Sequence, residues 1–270
     1  MASDSILPAA FGRSGLPARA LRDPWMLVLA ALTALLLFWS VTGSAPAAVR
    51  SLWTWTPALL RGLLANIEIS VFAMGIGTVV GLVIGALSLS SHAALRVFTR
   101  SWVQAFRNAP VLVLVYFTTY VFPFELHLVH WTFPFPDWVK VVLGLALPAS
   151  ANVAEIFRGA IQSIPSAQWE AAQSLALRRR QIFRLVVLPQ CLRRMLPPWM
   201  NLYASITMST SLASLVGVHD VVDTAQVASN TVARTDFTIL VYFTLLALFF
   251  AYCYPIARAT RALERRHERH

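Results

Sequence analysis

Residues 63–89 read LLANIEISVFAMGIGTVVGLVIGALSL, 27 positions with a single ionisable side chain, Glu68. A helix needs about 20 such residues to cross a hydrocarbon core of roughly 30 Å. In lipid every backbone polar group must find an internal partner, which a helix provides and an isolated extended segment does not. The run is therefore read as a membrane-crossing helix. Working outward from it, further apolar runs lie on both sides. The composition agrees: of 270 residues, 57% are hydrophobic and only 13% charged, at a mean hydropathy of +0.63. A water-soluble fold with those proportions would lack the polar side chains to cover its surface. The fold class is all-α integral membrane.

Six spans are expected, at residues 25–41, 63–89, 110–122 (with an onset as early as Arg96), 139–157, 198–216 and 237–257. A signal peptide competes for the first, but no small-residue cleavage site stands close behind it. In the second, Gly77, Gly81 and Gly85 form a small-residue stripe at four-residue spacing, which allows close helix packing. Pro148 is expected to kink the fourth span, with neighbouring helices satisfying the freed backbone groups.

The formal charge of +10 is one that nucleic-acid-binding chains also carry. Here the arginines sit in short segments between apolar runs rather than along one amphipathic face, which argues against nucleic acid as a partner. Their distribution instead orients the chain. Eighteen of the 22 Lys and Arg residues fall in the N-terminal segment, in residues 91–109 and 158–194, and after residue 257. Only Arg50, Arg61, Lys140 and Arg234 fall on the other side. Positive charge marks the cytoplasmic face, so both termini are expected inside, and a five- or seven-span arrangement would move whole arginine clusters outward. The outer loop 123–138, PFELHLVHWTFPFPDW, has the aromatic content of an interfacial belt. His127 and His130 lack a carboxylate or thiol partner at matching spacing, and no metal site is expected. Cys191 and Cys253 form no metal motif and are expected to stay unpaired.

The longest inner segment, residues 158–198, reads RGAIQSIPSAQWEAAQSLALRRRQIFRLVVLPQCLRRMLPP. Pro165 and Ser166 signal a helix start. Trp169, Ala172, Leu175 and Ala176 then recur at helical spacing as an apolar side of small residues. A basic run, Arg178 to Arg180, leads into a second helical stretch expected to end at Pro189. Such a helix–turn–helix suits insertion into a groove on another protein. It equally suits lying on an anionic leaflet, and the arginines do not separate the two readings.

Glu170-Ala171-Ala172, then Leu175, Leu188-Pro189-Gln190 and Leu196-Pro197-Pro198, resemble the EAA loop of binding-protein-dependent ABC importer permeases. The likeness is narrower still to polar amino-acid permeases, the group serving histidine, glutamine, glutamate and arginine uptake. Further matches are Gly62-Leu63-Leu64, Phe106-Arg107 with Pro110, the run from Glu155 to Ser163, Thr210 to Ser214, and Gly217.

The resemblance implies a five-helix permease core with one N-terminal transmembrane helix added. The permease domain would occupy 58–266, after an N-terminal part at 1–57. It also implies a bacterial inner-membrane location, a second permease (paralogue or identical copy), an ABC ATPase dimer and an extracytoplasmic solute-binding protein. ATP and Mg would be bound by the partner ATPase, with no cofactor in this chain. The loop would supply the ATPase-coupling residues Gln168, Glu170, Ala171, Ala172, Leu175, Ala176 and Leu177. The implied substrate is a polar amino acid, or an amino-acid-like solute such as an opine or cystine. Ala176 stands where the family usually has Gly, and Ala does not adopt positive φ freely, so the turn is expected to shift toward Leu177 and Arg178. Met208-Ser209 and Asn108-Ala109 also depart from the family pattern, which leaves substrate preference open.

Four residues are candidates for the substrate path. Glu68 either faces a central cavity and meets a cationic substrate group, or snorkels to the outer interface. Asn152 is a candidate for lining the path. Thr207 and Ser211 either line a hydrated path or bond their own helix carbonyls and pack against neighbours. Glu155 and Arg158, three apart, are expected to pair structurally. Other function classes find little support. A P-loop needs a Gly-Lys-Ser/Thr sequence, and the single lysine, Lys140, lies between two valines. No G-x-S-x-G, H-E-x-x-H or intramembrane carboxylate pair indicates an enzyme, so no catalytic residue is assigned. A self-sufficient channel or secondary transporter would leave the elaborate inner loop without a task.

Overall fold

Asp137–Gln162 forms a 26-residue helix with buried positions on nearly every side, from Val141 and Leu145 to Val153 and Phe157. The helices Ala93–Asn108, Val111–Val121 and Leu188–Ser209 pack on it. The computed structural model describes residues 45–128 and 131–267, together with Ala31, Ala34 and Phe38. The expected first span, 25–41, otherwise lies outside the described residues, as does His130. The chain divides into two units, Met1–Arg50 and Ser51–His270, and Asp137–Gln162 belongs to the second.

In chain order the helices are α1 (Ala45–Ser88), α2 (Ala93–Asn108), α3 (Val111–Val121), α4 (Asp137–Gln162) and α5 (Ser166–Ser174). After α5, α6 (Arg179–Ile182) passes through a π turn (Phe183–Val187) into α7 (Leu188–Ser209), which tightens to a 3-10 stretch (Thr210–Val216). Two more helices complete the chain, α8 (Val221–Val232) and α9 (Thr235–His267). Between α3 and α4 the strands β1 (Glu125–Leu128) and β2 (Trp131–Pro134) pair antiparallel, Glu125 opposite Pro134 and Leu128 opposite Trp131. The segment read as an outer loop thus contains a hairpin. Among the described residues α1, α4 and α9 are long and apolar enough to cross a membrane.

Several boundaries differ from the sequence reading, for identifiable reasons. The second span begins at Ala45, because the Ala- and Leu-rich residues before 63 continue the helix even with Pro57 inside it. The third divides into α2 and α3. Pro110 disfavours helical geometry for the residue before it, and Ala109 is extended, with ψ 135°. The second helical stretch of the inner segment does not end at Pro189. Its backbone widens into the π turn just before that proline, at the place where the ring would meet the carbonyl four residues back. The expected fifth span, 198–216, is consequently the last part of a continuous helical rod starting at Arg179.

The main core joins Ile69, Ala73 and Met74 of α1, Val115 of α3, five α4 residues and Ile206 of α7. The glycine stripe of α1 faces α4, and the two helices run parallel. A Cβ added at Gly77 would stand 2.6 Å from the Ala149 Cβ, at Gly81 2.6 Å from the Val153 Cβ, and at Gly85 2.8 Å from the Phe157 ring. The stripe is therefore a packing device, as the spacing implied. Buried polar side chains bridge helices: Trp199 Nε1 donates to Thr78 Oγ1 at 2.9 Å and Trp102 Nε1 to Ser150 Oγ at 3.1 Å. Lys140, fully buried, meets Asp137 at 3.0 Å and lies over the Phe124 ring.

Candidate functional site

The inner segment builds a small platform at the C-terminal end of α4. Pro165 takes the N-cap position and Ser166 opens α5, so the serine hydroxyl is not the cap. One side of α5 packs inward. Ala172 is buried and Trp169 half-buried, in a cluster with Ile161, Ile164, Ile182, Val187, Cys191 and Met195. Gln168 is tied down by Gln190, whose amide donates to Gln168 Oε1 at 2.6 Å. Arg194 donates to the Ser163 carbonyl at 2.7 Å, holding the end of α4. The other side of α5 is open: Glu170 and Ala171 are exposed, and Leu175 is 75% exposed.

Two expectations are corrected here. Leu175 and Ala176 do not continue the apolar side set by Trp169 and Ala172, because α5 ends at Ser174 and the chain turns away. The turn is not displaced toward Leu177 and Arg178 either: Ala176 itself adopts φ 55°. Its N–H donates to the Gln173 carbonyl at 2.8 Å, and the Leu177 N–H reaches the Ala172 carbonyl at 3.4 Å. These two bonds form a Schellman cap, and the accompanying apolar contact puts Leu177 against the Ala172 cluster. That packing holds Ala in a conformation that costs an L-residue about 1–2 kcal/mol.

The candidate path residues do not converge. Glu68 is exposed and lines a cavity of about 380 Å³ with Asp137, Trp138 and His219, at the hairpin end of the molecule. Asn152, Thr207 and Ser211 lie outside that lining. The Asn152 amide donates to the Pro148 carbonyl at 2.8 Å. Thr207 Oγ1 donates to Tyr203 O at 2.9 Å and Ser211 Oγ to Met208 O at 2.8 Å. Ser209, Thr210 and Ser214 do the same one turn back along their own helix. These five hydroxyls thus donate to carbonyls of their own rod, while the Tyr203 hydroxyl meets that of Tyr252 at 2.6 Å. Glu155 pairs with Arg158, and Arg107 approaches the same carboxylate at 4.0 Å.

Beside the Glu68 cavity lies a polar cluster that sequence reading missed. Asn66, Thr210 and Asp220 are all fully buried. The Asn66 amide donates to Thr210 Oγ1 at 2.9 Å and to Asp220 Oδ2 at 3.0 Å, and its oxygen accepts the Val221 N–H at 3.0 Å. Asp220 also caps α8, accepting the Asp223 N–H at 2.8 Å. Burial pushes the Asp220 carboxyl up from the ordinary carboxylate range, against the pull of these hydrogen bonds. The helices meet closely here, since a Cβ on Gly62 would stand 2.7 Å from the Val221 backbone. The available signals were an asparagine in an apolar run and the Asp220-x-x-Asp223 helix start.

Comparison with known proteins gives consistent matches. A family model described as "Binding-protein-dependent transport system inner membrane component" matches residues 77–269. The octopine transport system permease protein OccM of Rhizobium radiobacter is 31% identical over 216 residues, 79% of this chain and 87% of that protein. The probable amino-acid ABC transporter permease protein YckA of Bacillus subtilis is 30% identical over 78% of this chain and 89% of its own length. Among solved structures, the crystal structure of an amino acid ABC transporter with histidines superposes at TM-score 0.69 with 26% identity, covering 80% of this chain and 97% of that one.

Proposed function

The chain belongs to the binding-protein-dependent transport system inner membrane components, and on that footing we propose that it is the importer subunit through which a polar amino acid, or an amino-acid derivative, crosses the membrane. Both termini face the cytoplasm, and the permease domain begins near residue 58. ATP and Mg bind in a partner ATPase dimer under the α5 platform. A second permease and an extracytoplasmic binding protein complete the assembly.

The carrying observation is the exposed side of α5. Glu170, Ala171 and Leu175 stand out from an apolar support, while Gln168, Ala172, Ala176 and Leu177 fix the helix from behind. A face of acidic and apolar side chains is unsuited to an anionic leaflet, which attracts basic side chains. It suits a groove on a protein, which favours ATPase docking over membrane contact. Ala172 acts from within the chain as a positioning residue.

With the partner ATPase and binding protein present, Glu170→Arg together with Ala171→Trp should lower ATP-driven uptake about tenfold or more, as loss of a docked contact worth ~1.4 kcal/mol requires. The unfolding midpoint of the permease should stay unchanged. Wild-type uptake in that variant would sink the docking assignment. An amino-acid derivative is favoured as a second substrate reading by the similarity to an octopine permease. At the Glu68 cavity, Glu68→Gln should impair uptake of cationic solutes more than neutral ones; equal impairment would remove Glu68 from the path.

A further inference from the structure

A second cavity, of about 420 Å³, opens between α2 and α4 at the α5 end. Arg96, Arg100, Arg107 and Arg158 line it, with Glu155 as the acidic member of the lining. Glu155 is engaged by Arg158 and approached by Arg107, and the lining still carries a surplus of positive charge. Arg96 spends one guanidinium nitrogen on the carbonyls of Ser90 and Ser91, at 3.1 and 2.6 Å. Arg100 makes no hydrogen bond or ion pair among the described residues. The polar neighbours Thr99, Gln104 and Gln162 add hydrogen-bonding groups around the same space.

The setting says what the ligand is. Arg96, Arg100, Gln104 and Arg107 recur at helical spacing on the side of α2 that faces this cavity. On other sides of α2, Val97 is 62% and Phe98 51% exposed. A helix with arginines along the cavity and exposed apolar side chains on another side is suited to a membrane boundary. A cationic hole beside acyl-chain-facing residues matches a ligand with an anionic head and apolar tails. We propose that this cavity binds the phosphodiester headgroup of an anionic phospholipid, with Arg100 as its principal free cation. The inference rests on membrane residence and not on the docking role of α5, so the two fail separately.

The full chain, purified in neutral detergent and stripped of lipid, is titrated with phosphatidylglycerol or with phosphatidylcholine of the same acyl chains, and bound lipid is counted by native mass spectrometry. Phosphatidylglycerol should occupy one site at least about tenfold more tightly than phosphatidylcholine, given several basic groups acting together. Arg100→Gln should weaken it about fivefold, and Arg100→Lys should restore most of the loss. Arg261→Gln, an equal charge change on exposed α9, should leave it unchanged. Circular dichroism of each variant checks folding, and the Lys variant keeps the test decisive. Equal affinity for the two lipids, or equal effects of the Arg100→Gln and Arg261→Gln changes, would overturn the proposal. Displacement of the lipid by inorganic phosphate at equal concentration would assign the cavity to a free anion instead. Exclusion of phosphatidylglycerol by the bound partner ATPase would assign it to a protein contact.

Discussion

At the hairpin end Asn66, Thr210 and Asp220 are fully buried and mutually hydrogen-bonded, whereas at the α5 end the buried cluster of Ile164, Ala172, Ile182, Val187 and Met195 is apolar throughout. The first arrangement is specific in direction. Each donor faces an acceptor, and a shift of α1 against α8 would leave buried polar groups unpaired, at about 1–3 kcal/mol each. The second is specified mainly by volume and shape, and such clusters tolerate substitution of similar size. The difference teaches that the two ends answer different demands. One fixes how α1, the 3-10 stretch and α8 meet, and the other supports a helix whose opposite side is presented outward.

The contrast is most easily broken at glycine. Gly62→Val would drive side-chain atoms into the Val221 backbone, which cannot rotate aside, and should cost about 3 kcal/mol. Gly159 of α4, near the α5 end, has nothing within 4 Å of an added Cβ. Gly159→Ala should leave thermal unfolding in detergent unchanged or slightly improved, since Ala is the better helix former. Equal losses at both positions would erase the claimed difference between the ends.

A smaller effect tests the direction of the hydrogen bonds. Asp220→Asn retains a good helix cap but turns an amide NH2 toward the Asn66 NH2, and should cost about 2 kcal/mol. Adding Asn66→Asp restores an acceptor to that pair and keeps one for the Val221 N–H, so the double variant should recover about 1 kcal/mol relative to the sum of the single changes. Additive losses would mean that the cluster packs by shape alone.

At the α5 end the next effect has the opposite sign. Ala176→Gly removes the left-handed penalty and should stabilise the chain by about 1 kcal/mol, with the turn unmoved. No gain in unfolding midpoint would show that the Leu177 packing, rather than the backbone, sets this turn.

What the sequence made legible tracks the range of the forces involved. Hydropathy over one segment was enough for α1, α4 and α9, because a membrane helix satisfies its own backbone. Local glycine spacing was enough to mark the close-packed side of α1, though not its partner α4. The helix α8 was missed because VVDTAQVASNTV is too short and too mixed in polarity to read as a span. The Asn66–Asp220 bond joins residues 154 positions apart, beyond any local pattern. The left-handed Ala176 was missed for a related reason. Intrinsic preference argued against it, and tertiary packing of Leu177 decided otherwise. Within the candidate site the helix itself was readable, but its exposed side was not, since that depended on where α5 stopped.

That stopping point makes Leu175 the sharpest separation of stability from presentation. A leucine at 75% exposure loses little buried area when shortened, so Leu175→Ser should change the unfolding free energy by less than about 0.5 kcal/mol. Ala172, only three residues earlier and 4% exposed, has no such freedom, and Ala172→Leu should destabilise by about 2 kcal/mol through overpacking. If the α5 surface docks on the ATPase, Leu175→Ser should reduce ATP-driven uptake with the permease still folded and present in the membrane. Ala172→Leu should reduce uptake only in proportion to the permease lost. Parallel loss of uptake and folded protein in both variants would make the whole helix a structural element, with no surface reserved for a partner.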